Sequence, residues 1–247
     1  YVAGIQDRLL AKYDVESQKV VARASLTDVD PGAYGKAVWV DSAGDIWAPL
    51  TVPMLAVYSA DLKLKAYYDL SVHGVVAPEG AVVSPARDVY VTDRKGRGGI
   101  FKFRLQNGAL LPAKEWGTNG HVSIGKDLRQ PCLMPAGDLV VGSFGGSELY
   151  LVGAVDGQVS VVVDDTKAAY HVAIDDAGRI YVAHYDRHDV AVSVFEPDGS
   201  LTQTWSAAEL GIQTETSGVA VSQDGSCLFV LDQRTGQGGI VRAYRVR

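Results

Sequence analysis

The chain has 247 residues, 47% of them apolar, a formal net charge of −6 and two cysteines. The acidic balance argues against a nucleic-acid partner. No run approaches the roughly 18 apolar residues of a membrane span, and no basic amphipathic stretch suits a membrane surface. Cys132 and Cys227 make neither a disulfide framework nor a cysteine zinc site and read as buried thiols on separate strands. The chain starts at Tyr1 without Met and shows no signal peptide, so it reads as processed or cut at its ends. Its compartment stays open.

In chain order, residues 1–4, 9–13 and 19–23 read as three short strands, the last two joined by a turn over residues 14–18. Val38, Trp39 and Val40 then run into a turn at Asp41, Ser42, Ala43 and Gly44, and Ile46 and Trp47 resume the strand pattern. The same shape returns at Val82–Tyr90, Cys132–Val140, Tyr170–Ala183 and Val219–Phe229. Asp and Ser suit the turn because they bond their own backbone, and Gly suits it because it takes positive φ. After the third of these returns come a strand at Val190–Phe195, a turn at Glu196–Gly199 and a strand at Ser200–Trp205. Ser206–Leu210 suits one helical turn, and Ile240–Val246 is a final strand.

The first turn residues, Asp41, Ser84, Met134, Asp175 and Ser222, recur every forty to fifty residues or so, the size of a four-stranded propeller blade. Counting second strands gives six blades. The expectation is an all-β, six-bladed β-propeller of four-stranded antiparallel blades, one domain over residues 1–247. The first blade lacks its first strand and the last blade its fourth, so a closing segment of roughly twenty residues is expected upstream of Tyr1.

In a propeller the loops entering the first strand and leaving the second share one face, and function lives on such loops. The five histidines, His73, His121, His171, His184 and His188, are expected there. His184 and His188 share a loop with Asp186 and Asp189, a composition open to metal. No tightly bound zinc is expected, because flexible surface ligands lose entropy on ordering. The loops at residues 93–100 and 232–240 are Gly-rich and basic, but neither opens a helix, so they are weak phosphate cradles.

Register defines a second set. Five residues before each first turn residue stand Lys36, Glu79, Arg129, Tyr170 and Ser217, where a first strand begins at the rim of a central channel. Such a set forms a polar funnel for a small anionic or polar ligand. Lys36 and Arg129 would hold the anion, with Ser217 and His121 as further binding groups. Glu79 or His171 would move a proton, and Tyr170 would orient or donate. The competing reading has Lys36, Glu79 and Arg129 neutralise one another around channel water.

The hairpins Asp41–Trp47 and Asp175–Tyr181 and the turn Phe195–Gly199 resemble those of NHL-type six-bladed propellers. The wider group spans gluconolactonase-like and senescence-marker-like lactonases, streptogramin lyases, peptide-amidating lyases and non-catalytic binding modules. The resemblance implies a small-molecule hydrolase or lyase, or a ligand- or protein-binding module. Pro78–Val83 is similar to the lactonase segment whose Glu binds a divalent metal, which makes Glu79 the matching residue. The lactonase Asn and Asp slots hold Lys36, Arg129, Tyr170 and Ser217, so the metal set is not intact and the cofactor is left open. The amidating lyases place a zinc-binding His at such a slot, where His171 falls one residue late.

Overall fold

Five first-to-second-strand hairpins reverse on the same four-residue turn. The carbonyl of Asp41, Ser84, Met134, Asp175 and Ser222 accepts the amide of the residue three further on, at 2.8–2.9 Å. That fourth residue takes a left-handed φ of 67–101°. It is Gly44, Gly137, Gly178 and Gly225 in four copies, as the absence of a Cβ favours. The fifth is Arg87, whose guanidinium reaches Asp41 at 2.9 Å and so offsets the backbone strain. The turn aspartates do more than turn. Asp41 is buried and accepts from the amides of Ala43 and Asp45 and from the Trp47 indole at 2.9 Å. Asp175 repeats this with the Tyr181 hydroxyl at 3.2 Å and Arg179 at 2.7 Å. The recurrent Asp and the aromatic six residues later are therefore one hydrogen-bonded unit.

The structure, a computed structural model, describes residues 1–3, 8–125, 127–166, 168–185, 189–234 and 238–246. The chain divides into two compact units, Tyr1–Ile124 and Gly125–Arg247. The first unit holds three antiparallel sheets. They are β1 (Val2–Ala3), β2 (Leu9–Asp14) and β3 (Lys19–Ser25); β4 (Trp39–Val40), β5 (Ile46–Pro49), β6 (Met54–Tyr58) and β7 (Leu64–Asp69); and β8 (Pro78–Val83), β9 (Asp88–Asp93), β10 (Gly99–Gln106), β11 (Ala109–Pro112) and β12 (His121–Val122). The second unit holds β13 (Leu128–Leu133), β14 (Leu139–Ser143), β15 (Leu149–Val152) and β16 (Val159–Val163); β17 (Ala169–Ile174), β18 (Ile180–His184), β19 (Val192–Phe195) and β20 (Leu201–Trp205); and β21 (Glu215–Val221), β22 (Cys227–Arg234) and β23 (Gly238–Arg245). These are the blades of a six-bladed β-propeller, paired in sequence order within each sheet.

The first and last blades have three strands each, as the sequence pattern has it. The third blade departs from four. Its outer strand is split into β11 and β12, which both pair with β10. The Ser206–Leu210 segment closes one turn through Leu210 N to Ser206 O, capped reciprocally by Ser206 and Glu209.

Apolar residues pack between successive blades. Trp47, Leu55 and Val57 of the second blade meet Val89, Val91 and Phe103 of the third. Tyr181, Ala183 and Val194 of the fifth meet Val219, Leu228 and Val230 of the sixth. Each fully buried aliphatic side chain contributes about 1.5–3 kcal/mol. Cys132 belongs to such a layer: burial pushes its thiol up to about 12, and its Sγ donates to the Val172 carbonyl. Among the described residues no helix is long and apolar enough to cross a membrane.

Candidate functional site

The register row has a structural cause. In each of five blades the first strand gains one residue over the second near its start. The slip lies between Pro78 and Gly80, between Leu128 and Pro131, between Ala169 and His171, and between Thr216 and Gly218. In the second blade it lies between the Gly35–Leu50 bridge and the Trp39–Trp47 pair. Glu79, Tyr170 and Ser217 are the extra residues, and Lys36 and Arg129 lie within the other two slips. A bulge frees a residue from the ladder and re-aims its side chain.

A second row meets the first. Thr51, Arg94, Phe144 and Tyr185 each stand one residue past the end of a second strand or bridge. Each donates its amide to the residue two before the bulge position, at 3.0–3.2 Å: Tyr34, Ala77, Asp127 and Ala168. One repeated hydrogen bond thus sets a partner beside each bulge residue.

In the first unit the partners are charged. Glu79 Oε1 lies 3.3 Å from Lys36 Nζ and 3.0 Å from Arg94 Nε, and the carboxylate side chain is 5% exposed. Lys36 also sits over the Tyr34 ring. Asp93, the last residue of β9, accepts the amides of Val76, Ala77 and Lys95 and so fixes the loop that leads to Glu79. Asp232 holds the amides of Gln213 and Thr214 in the sixth blade. This staple accounts for the likeness of the loops that begin at the two aspartates. Residues 235–237 of the second loop lie outside the described residues.

In the second unit the partners are aromatic. The Arg129 guanidinium lies 4.8 Å from the Phe144 ring centre and 4.7 Å from that of Tyr170, and Nη2 reaches Asp127 at 3.1 Å. Phe144 meets Tyr170 edge-on, and Tyr170 stacks on Tyr185 at 4.8 Å. Asp127 and Ala168, which hold this second row, both take left-handed φ, 59° and 66°. Such strain marks functional positions when the surroundings enforce it. His171 is partly buried next to Tyr170, and burial lowers its pKa to about 4, against an upward pull from a hydrogen bond to the Val219 backbone. The imidazole is neutral at pH 7. His171 Nδ1 and, on the neighbouring first strand, Ser217 Oγ are buried without a hydrogen-bond partner among the described residues.

The structure thus brings Lys36 to Glu79 in one unit, and Arg129 to Tyr170 in the other. His121 is not a loop residue: it opens β12, its ring lies tilted 4.5 Å from that of Phe101, and it bonds the Gly98 carbonyl at 2.6 Å. His171 and His184 likewise lie on strands, β17 and β18, and His73 on a 3-10 turn. The loop expectation holds for His73, between β7 and β8, and fails for His121, His171 and His184 because a blade's polar rim includes the ends of its strands. His188 and Asp186 lie outside the described residues. Among the described residues no three His, Cys, Asp or Glu side chains group as metal ligands would. The divalent metal of the lactonase pattern does not fit here, because the Glu79 carboxylate is already engaged by two cations. Arg94, Phe144 and Tyr185 escape sequence reading, although their equal spacing from the second-strand ends is a signal.

No family model and no curated protein matches the chain. Solved structures do. A protein of unknown function from Bacteroides caccae is 17% identical, with a TM-score of 0.69 over 96% of this chain and 86% of its own. A streptogramin B lyase is 12% identical, with a TM-score of 0.67 over 98% and 77%. Regucalcin from Agrobacterium tumefaciens str. C58, a calcium-binding protein, is 18% identical, with a TM-score of 0.65 over 92% and 75%. At these identities the likeness is one of fold, and by fold the chain is a six-bladed β-propeller similar to streptogramin lyase and regucalcin-type proteins.

Proposed function

We propose that the chain is a small-molecule hydrolase or lyase whose ligand, carrying an anionic or polar group, is taken by the bulge row of the second unit. The observation that supports this reading is Arg129, 7% exposed, with its guanidinium over the rings of Phe144 and Tyr170. A guanidinium held in place by two rings and Asp127 and partly desolvated is prepared for a carboxylate or similar oxyanion, since its geometry is fixed before the ligand arrives. Tyr170 lies beside it to orient or donate. His171, neutral at pH 7, is a base in waiting, and Ser217 Oγ supplies a further hydroxyl. A screen of lactones, esters and carboxylates, read by mass spectrometry, tests this. The expected result is a ligand or turnover that weakens more than about tenfold in Arg129→Ala. A ligand indifferent to Arg129 would refute it.

The second reading, a binding module without turnover, is favoured by one observation: Glu79, the carboxylate placed for acid–base work, is engaged by Lys36 and Arg94. Binding in that screen without any product would select it.

A further inference from the structure

The fifth blade breaks the repeat at two places on one face. At the end of the second strand other blades carry Leu50, Asp93, Ser143 or Asp232, paired with the first strand. The fifth blade carries His184. Two residues earlier, the third-strand partner in other blades is Ala56, Phe101, Tyr150 or Arg242. In the fifth blade it is Ser193, opposite Val182. Alternation along a strand puts residues 182 and 184 on one face, with Ser193 and its own partner Thr204 beside them. His184 Nε2 and Ser193 Oγ are 2.8 Å apart, and both side chains are buried. A cleft of about 210 Å³ opens over the pair. Phe195 and Leu201 form its apolar wall, Thr204 adds a hydroxyl, and Asp165 and Asp189 also line it.

We propose that this cleft is a second site, separate from the Arg129 row, that hydrolyses small neutral or cationic esters. Hydrogen bonding to an imidazole is what makes a serine hydroxyl nucleophilic. Ser193 Oγ adds to the acyl carbon while its proton passes to His184 Nε2. The ester C–O bond then breaks, and the leaving alcohol takes that proton. Water, deprotonated by Nε2, attacks the acyl-serine; the acid leaves and Ser193 regains its proton. Thr204 faces the same space as the hydroxyl donor to the carbonyl oxygen. The acyl chain lies on Phe195 and Leu201, and the cleft volume limits it to a short one. The two lining carboxylates repel an anionic substrate and favour an amino-alcohol leaving group, the opposite preference to that of the Arg129 row.

The test is covalent. The folded chain is treated with diisopropyl fluorophosphate, which transfers its phosphoryl group to an activated serine and releases fluoride, and the adduct is located by tandem mass spectrometry. One adduct on Ser193 is expected, absent in Ser193→Ala. Labelling should be slower by roughly a hundredfold or more in His184→Gln with a wild-type melting curve. It should be unchanged in Arg129→Ala, which keeps this outcome distinct from that of the first site. A short-chain amino-alcohol ester should be cleaved more than about tenfold faster than an anionic half-ester of the same acyl length. No adduct on the wild-type chain, an adduct elsewhere, or equal labelling in folded His184→Gln would overturn the proposal.

Discussion

The two units carry the same bulge row and use it in opposite ways. In the first, Glu79 lies between Lys36 and Arg94, and each charge is answered by another. In the second, Arg129 pairs with Asp127 at 3.1 Å and lies over the Phe144 and Tyr170 rings, and two buried polar atoms, His171 Nδ1 and Ser217 Oγ, have no hydrogen-bond partner among the described residues. The backbone differs too. Left-handed non-glycine residues support the row at Asp127 and Ala168, while the corresponding Tyr34 and Ala77 are not left-handed. The contrast between the rows therefore lies in side chains and in local backbone conformation alike. A satisfied cluster stabilises the fold, whereas an unsatisfied and strained one holds back interactions for a ligand.

That contrast breaks first under acid. His171 has its pKa depressed from 6.5 to about 4, so the unfolded chain binds the proton more readily than the folded one. The neutral ring is no burden above pH 6.5, and stability is lost as pH falls from 6.5 through about 4. Over that window the wild type should lose up to about 3 kcal/mol more than His171→Gln. Urea denaturation at pH 7, 5.5 and 4 measures the gap; parallel curves for the two proteins would refute the buried-imidazole account. Next comes the first unit. Glu79→Gln leaves Lys36 and Arg94 without their carboxylate and should cost about 2 kcal/mol, the loss of a buried pair reduced because both cations are partly exposed. A midpoint in urea equal to that of the wild type would mean that the cluster does not hold the blades together. The smallest effect is at Ser217. Removing a hydroxyl that lacks a partner, as in Ser217→Ala, should change stability by less than about 0.5 kcal/mol, or raise it. A loss above about 1 kcal/mol would show that the hydroxyl is satisfied in the folded protein.

The repeat is readable in the sequence because the turn has a local signature: an acceptor side chain first in four of the five copies, Met134 being the exception, and a left-handed residue fourth in all five. Asp41 with Gly44 and Asp175 with Gly178 state this outright, and Ser84 with Arg87 states it imperfectly. The row of five polar residues was legible from the same register. Its partners were not. Arg94, Phe144 and Tyr185 are placed by strand pairing plus one extra residue, and the bulge is visible only when two strands are aligned. The histidines were misplaced for a related reason. His121 extends a split outer strand, and the pairing that makes it a strand residue lies about twenty residues away on β10. His184 read as part of a metal-like loop, whereas its hydrogen bond goes inward to Ser193 on the next strand.

The central claim is that the second unit's row takes the ligand and the first unit's row does not. Isothermal titration with the tightest binder from the carboxylate and lactone screen tests it directly, comparing wild type, Arg129→Ala, Arg129→Lys and Glu79→Gln at pH 7. The account predicts affinity reduced by more than about tenfold in Arg129→Ala, with only part of it restored by Lys, which keeps the charge and loses the planar guanidinium. It predicts Glu79→Gln within about threefold of wild type, since the ligand is expected to draw on one row alone. The reverse order, with Glu79→Gln abolishing binding and Arg129→Ala leaving it intact, would contradict the account.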